Sequence, residues 1–233
     1  MKTEKNLRIR RMAALILLGT LAASAVFCAA RLIWPPEVQE GALIVRTRSD
    51  YLLMFMQCLL GMAVMALPSL ASRKWKLELP TVIHVMYYAF LYCAVFLGEV
   101  FSFYYLIPHW DTILHSFSGA MLAALGFILV DFLNRDEHVH VSLSPAFVAL
   151  FAFCFALAAG GVWEIYEYVA DGMMGLNMQK FADAQGVVMS GRDALRDTMD
   201  DMIVDASAAA VTAVIGYLSQ RKRRKTSPAP SAK

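Results

Sequence analysis

Charge is what this sequence has least of. Only 17% of its 233 residues are Asp, Glu, Lys or Arg, and 59% are hydrophobic. A soluble domain is about a quarter charged and nearer half apolar. The apolar residues also lie in long runs, so an ordinary soluble fold is excluded by pattern as well as by composition. Cysteine is scarce too. Cys28, Cys58, Cys93 and Cys154 all fall inside apolar runs, with no CxxC. That excludes a disulfide framework and a cysteine-based zinc site. The signatures GxSxG, Walker A, GxGxxG and HExxH are absent. Ser116 and Ser118 stand near His115, but nothing in the spacing marks a nucleophile and its base. No internal repeat is present.

What remains is a set of apolar stretches. A membrane helix needs about 20 mainly apolar residues to cross a hydrocarbon core of about 30 Å. Six stretches meet or approach that length: 12–34, 51–71, 81–107, 112–133, 145–169 and 202–219. They predict an all-α, polytopic membrane bundle, with 1–219 as one transmembrane domain. The segment 171–200 reads as a long loop, suited to a lid or a surface-lying helix. The basic segment 220–233 reads as a disordered tail. The basic start and Ala23-Ser24-Ala25 would also suit a cleaved signal peptide. The apolar run continues to Ile33, however, which favours a retained span.

The few charges give the bundle an orientation. Of 21 Lys and Arg residues, all but Arg31, Arg46, Arg48, Lys180, Arg192 and Arg196 fall in 2–11, 72–80, 134–144 or 220–233. Placing those four segments in the cytoplasm satisfies the positive-inside rule and puts both termini there. Trp34, Trp75, Trp110 and Trp163 then sit near span ends, as interfacial aromatics do. The basic tails read as anchors beside anionic lipid, not as nucleic-acid contacts.

Ionisable side chains inside membrane spans are costly and normally face protein or a water-filled cavity. With this orientation they collect at the outer ends of four spans. Glu99 lies near the end of the third. Asp111 and His115 open the fourth, four residues apart and therefore on one helix face. Glu164 and Glu167 close the fifth, followed by Asp171. Asp197, Asp201 and Asp205 repeat at intervals of four into the sixth, flanked by Asp200. One imidazole and several carboxylates on facing helices suit a divalent metal ion. His115, Glu164, Glu167, Asp197 and Asp201 are the expected ligands. Glu99, Asp111, Asp171 and Asp205 are the expected supporting pocket. Arg192 and Arg196 are placed to meet an anionic headgroup, although pairing with a nearby Asp is simpler.

Each residue also has a plainer reading. Asp111 could cap a helix, and Asp197, Asp200 and Asp201 could answer a helix dipole. His115 could be a hydrogen-bonded core histidine. Glu164 and Glu167 resist this treatment, because the carboxyl end of a helix disfavours negative charge. His84, His109, His138 and His140 fall at span ends or in loops and are not assigned to the site.

At these residues a family resemblance appears. Trp110-Asp111-Thr112-Ile113-Leu114-His115-Ser116-Phe117-Ser118-Gly119 resembles the D-x-x-x-H-x-x-x-G motif of the YjdF-like bacterial inner-membrane proteins. Trp163 to Tyr168 resembles their Y-E-L-I-E-W segment. Asp197-Thr198-Met199-Asp200-Asp201-Met202 is similar to their D-T-x-x-D-M segment. Gln185-Gly186 echoes a Q-G-D, but here no Asp follows directly. The resemblance covers about the second half of the chain and implies a bacterial inner-membrane location without assigning an activity. A looser likeness is to VanZ-like proteins, with Glu167 in place of a Gln and Asp205 or Asp201 in place of an Asn. That likeness would imply a cell-envelope role and glycopeptide resistance.

The expected protein is thus a multi-pass bacterial membrane protein with an outward-facing carboxylate and histidine pocket. Through a divalent metal it would bind or act on an envelope ligand, either a small molecule or one linked to lipid. The alternatives are a cation- or proton-coupled transporter, which needs an inner exit path that the sparsely polar inner halves do not offer, and a scaffold in which the acids only lock helices. Membrane lipid is the expected partner and nucleic acid is not. Whether the chain is an enzyme, and its oligomeric state, stay open at this point. The orientation is testable: alkaline phosphatase fused after Ser190 should be active, and fused after Lys225 silent. The reverse pattern would overturn it.

Overall fold

The computed structural model describes residues 2–34, 44, 46–76, 79–134, 143–183 and 185–226. Pro35-Pro36, His138, His140 and the end of the tail beyond Thr226 lie outside the described residues. Among the described residues the chain is helical, and six helices are long and apolar enough to cross a membrane. Among the described residues the nearest thing to a sheet is an isolated bridge between Ala182 and Val188.

The helices are α1 (Lys2–Ile33), α2 (Arg48–Val64), α3 (Leu67–Trp75), α4 (Thr81–Leu91), a π-helical segment (Tyr92–Val100), α5 (Phe103–Leu106), α6 (Trp110–Leu133), α7 (Pro145–Met174) and α8 (Arg192–Thr226). Their contacts define two compact units, Met1–Leu114 with Glu164–Asp200, and His115–Trp163 with Asp201–Lys233. The helices α6, α7 and α8 each contribute to both.

In the first unit, α1 packs against α2, α4 and the π segment. Leu17, Leu21 and Ala25 of α1 meet Cys58 of α2, Tyr88 and Leu91 of α4, and Val95. Thr47 opens α2 with a capping box: its side chain accepts from Asp50 N, and Asp50 accepts from Thr47 N at 2.6 Å. Pro68 is accommodated in the first turn of α3, where a missing N–H costs nothing.

Boundaries of the first, third, fifth and sixth spans differ most from those read in the sequence. The first helix begins at Lys2, ten residues before the expected start. The third span ends at Val100, not 107, because Ser102 adopts a left-handed backbone (φ 58°) and breaks the helix before α5. The fifth continues past 169 to Met174 and stops at Gly175 (φ 65°), whose N–H reaches Asp171 O at 2.9 Å. A glycine at this position relieves the left-handed turn that closes a helix. The sixth starts at Arg192, ten residues before the expected span, and continues through the basic residues to Thr226. The segments 192–200 and 220–226 are therefore helix, where the sequence suggests loop and tail.

In the second unit the helices approach closely through small residues. Ala123, Ala156 and Ala209 form a buried cluster, one from each of α6, α7 and α8. A Cβ on Gly126 would lie 2.8 Å from Ala152 Cα and 3.1 Å from its Cβ. Such contacts let backbones pack at short range where the hydrophobic effect offers no help. The neighbour at Gly126 is backbone and cannot swing aside. Gly126→Ala should therefore lower stability by about 1–3 kcal/mol, read as a reduced thermal midpoint in detergent. An unchanged midpoint would contradict this close approach.

Candidate functional site

Along α7 the carboxylates occupy one face. Glu164, Glu167 and Asp171 are buried at 5%, 8% and 8% exposure, while Ile165 and Tyr168 between them are 64% and 70% exposed. The pattern inverts that of a soluble helix. Acids turn toward protein, and aliphatic and aromatic side chains turn away, as a helix bathed in lipid requires. Because α7 continues to Met174, Glu164 and Glu167 are not at its carboxyl end. They therefore escape the unfavourable dipole expected from the sequence, and their burial is the stronger reason to notice them. The same extension of α8 moves Asp201 out of the first turn, where the dipole acts. Asp197, Asp201 and Asp205 are all helical and repeat at one-turn intervals.

The second unit brings His115 together with Asp201 and Asp205. His115 Nε2 lies 3.6 Å from Asp201 Oδ2, and Nδ1 lies 3.3 Å from Asp205 Oδ2. Ser118, one turn after His115, donates its hydroxyl to Asp205 Oδ1 at 3.3 Å. Asp201 and Asp205 are 5% and 3% exposed. Two glycines make room for this acid. A Cβ on Gly119 would sit 2.8 Å from the Asp205 carbonyl oxygen, and a Cβ on Gly160 would strike the Asp205 carboxylate. Gly119 thus brings the α8 backbone against α6, while Gly160 leaves space for the acid beside α7. The glycine that closes the D-x-x-x-H-x-x-x-G motif has this structural reason.

The first unit gathers a different group, centred on Lys180. Its ammonium pairs with Glu99 at 3.5 Å and lies over the rings of Tyr104 and Tyr105, 4.6 and 5.6 Å from their centroids. Gln57 donates to Glu99 from 3.4 Å. A side chain at Gly98 would strike the Tyr104 ring, so this glycine lets the ring lie against the π segment and present its face to Lys180. Burial disfavours the Lys180 charge, but Glu99, then Tyr105, Asp111 and Glu167, more than offset this and hold its pKa above the ordinary lysine value. Asp171 acts locally. It accepts from Met178 N at 2.8 Å and Gln179 N at 3.0 Å, tying the chain back after α7.

The sequence-derived set therefore divides. His115, Asp201 and Asp205 converge in one cluster. Glu99, Asp111 and Glu167 act on Lys180 in the other unit. Asp111 lies one turn before His115 in α6, and Asp197 one turn before Asp201 in α8. Glu164 is in the buried stripe of α7. Arg196 pairs with Asp200 at 3.5 Å in an exposed one-turn contact, and Arg192 stands at the start of α8. The four cysteines are free thiols. His84 is buried beside Arg10, and His109 is exposed in a turn. Lys180 was missed by sequence reasoning. One signal was available: it is the single basic residue between Met174 and Arg192, and a buried Glu99 needs a cation.

Six helices of spanning length among the described residues, with buried acids on the third, fifth and sixth spans, define a polytopic helical membrane protein. The chain belongs to the family described as "Predicted membrane protein (DUF2238)", which matches residues 40–222. This agrees with the YjdF-like resemblance without naming it, and gives no support to the VanZ-like one. Among curated proteins and solved structures, nothing matches the chain.

Lys180 sits in a left-handed conformation (φ 49°) in the loop after α7. A base held above its ordinary value contributes its full stabilisation below about pH 10.4 and loses it only as pH rises through the higher folded-state value. Lys180 should thus keep its charge across the neutral range. Lys180→Met leaves Glu99 buried beside an apolar side chain, at a cost of about 3–5 kcal/mol. Chymotryptic cleavage after Phe181 should accelerate in this variant, and in the native chain only under strongly alkaline conditions. Equal cleavage rates at neutral pH would show that the contact does not hold the loop.

Proposed function

We propose that this chain is an integral protein of a bacterial inner membrane whose His115–Asp201–Asp205 cluster holds a divalent metal ion. The ion serves a site that binds or acts on an envelope or lipid-linked ligand. The observation that carries this reading is one imidazole set between two buried carboxylates, with one acid at each ring nitrogen.

The two acids differ in role. Asp205 takes the Nδ1 proton and is itself steadied by Ser118. That leaves the Nε2 lone pair facing Asp201, as in carboxylate–histidine–metal arrangements. Two ligands each about 2.1 Å from one ion are about 3.0–3.4 Å apart. The 3.6 Å between Nε2 and Asp201 Oδ2 needs only a small closure. An imidazole with carboxylates suits zinc, manganese or iron better than calcium. Asp111 and Asp197 each stand one turn before a member of the cluster along the same helix. A bound ion would supply Lewis acidity, or a water made acidic enough to react near neutral pH.

Purified full-length protein, reloaded with each metal and dialysed, should retain about one ion per chain by elemental analysis. His115→Ala and Asp201→Asn should abolish retention. Asp205→Asn should weaken it about 10- to 100-fold, as loss of an orienting carboxylate does. No retained metal in the native protein, or retention unchanged by His115→Ala, would sink the proposal.

A further inference from the structure

We propose that a cavity in the first unit binds a small zwitterion: an oxyanion joined through a short linker to an ammonium, as in the ethanolamine phosphate headgroup of a phospholipid. None of the candidate metal ligands lines this cavity, so the proposal stands apart from the metal reading.

The cavity has a volume of about 290 Å³. Small-molecule sites run from about 300 to 1,000 Å³, so this one has room for a headgroup and not for acyl chains. Its wall includes Arg46, Asp50, Glu99, Ser102, Lys180 and Asp183. These come from the segment before α2, the start of α2 itself, the end of the third span and the loop after α7. In the orientation expected from the charges, all of these lie on the outer side.

The charges on this wall are not equally engaged. Lys180 and Glu99 neutralise each other. Arg46 uses one nitrogen, Nη2, for Val100 O at 2.7 Å and Ser102 Oγ at 2.5 Å. It pairs with no carboxylate among the described residues. Its Nε and Nη1 keep N–H donors, and the charge, for an oxyanion. The two remaining acids are each half used. Asp50 engages Oδ2 in the α2 cap. Asp183 Oδ1 accepts from Gln185 N at 3.0 Å and Val187 N at 2.8 Å. The second oxygen of each accepts nothing among the described residues.

The wall thus offers one cation without a counter-charge and two carboxylate edges. A simple anion entering it is repelled by Asp50 and Asp183, and a simple cation is repelled by Arg46. A molecule that carries both charges is complementary to both. Arg192 and Arg196, the cations expected from sequence to meet an anion, do not line the cavity, and Arg196 already faces Asp200.

The test uses purified full-length protein and glycerophosphoethanolamine, titrated by calorimetry, with glycerol 3-phosphate and ethanolamine as the single-charge fragments. The zwitterion should bind, and each fragment should bind about tenfold more weakly or worse. Arg46→Lys keeps the charge and removes the free Nε and Nη1 donors. Asp183→Asn keeps an acceptor for the turn and removes the charge. Each should weaken binding about tenfold, Asp183→Asn with little change in thermal midpoint. Phosphatidylethanolamine nanodiscs that compete with the soluble probe, where phosphatidylglycerol nanodiscs do not, would assign the site to a lipid headgroup. Competition by neither would assign it to a free zwitterion. No binding of the zwitterion, equal binding of glycerol 3-phosphate, or unchanged affinity in both variants would overturn the proposal. Metal retention in the same variants should be unaltered, so failure here is separable from failure of the metal site.

Discussion

A carboxylate inside an apolar helix must be matched, and the organisation of this protein follows from how its acids are matched. Hydrocarbon supplies neither water nor counter-ions, so each buried acid needs a cation, a proton or donors from protein. Glu99 takes Lys180 and Gln57. Asp171 takes two backbone N–H groups. Asp205 takes His115 and Ser118. These are three solutions to one problem. The first two fasten the loop after α7, and the third creates a cluster with chemistry in reach.

The helices are shaped to permit this. The π segment, the left-handed residue at Ser102 and the early stop at Val100 bring Glu99 to the end of its span, next to a loop that carries a cation. π-helical turns are uncommon and recur at functional sites. Arg46 bonds a carbonyl at the end of this segment, where the last turn leaves acceptors without helical partners. The cation therefore has a structural role and retains donors on Nε and Nη1.

Much of the architecture was legible in the sequence because a bilayer imposes a length. Six apolar runs became six helices, and the spacing of Asp111, His115 and Gly119 survived as one face of α6. Helix ends were less legible. Gly175 and Gly191 both carry positive φ and bound the loop correctly, yet apolar length pointed to 169 and 202 instead. The π segment holds Gly98 near its end, but nothing at its start announces it. The acids of the sixth span were readable as a stripe only on condition that all were helical, which α8 meets. Lys180 was not legible as a site residue, because its partner Glu99 lies far away along the chain and a lone lysine in a loop has no periodicity. Arg46 was hidden for a similar reason: its partners are a carbonyl and a hydroxyl, which leave no mark on a charge pattern.

Asp205 lies against two glycines on two different helices. That arrangement constrains heredity more than chemistry. A side chain at Gly119 would meet the backbone of residue 205, whatever side chain stands there, whereas one at Gly160 would meet only the carboxylate. Gly160 is thus released once Asp205 is replaced by a smaller residue, and Gly119 is not, so this arrangement can be revised only in a fixed order.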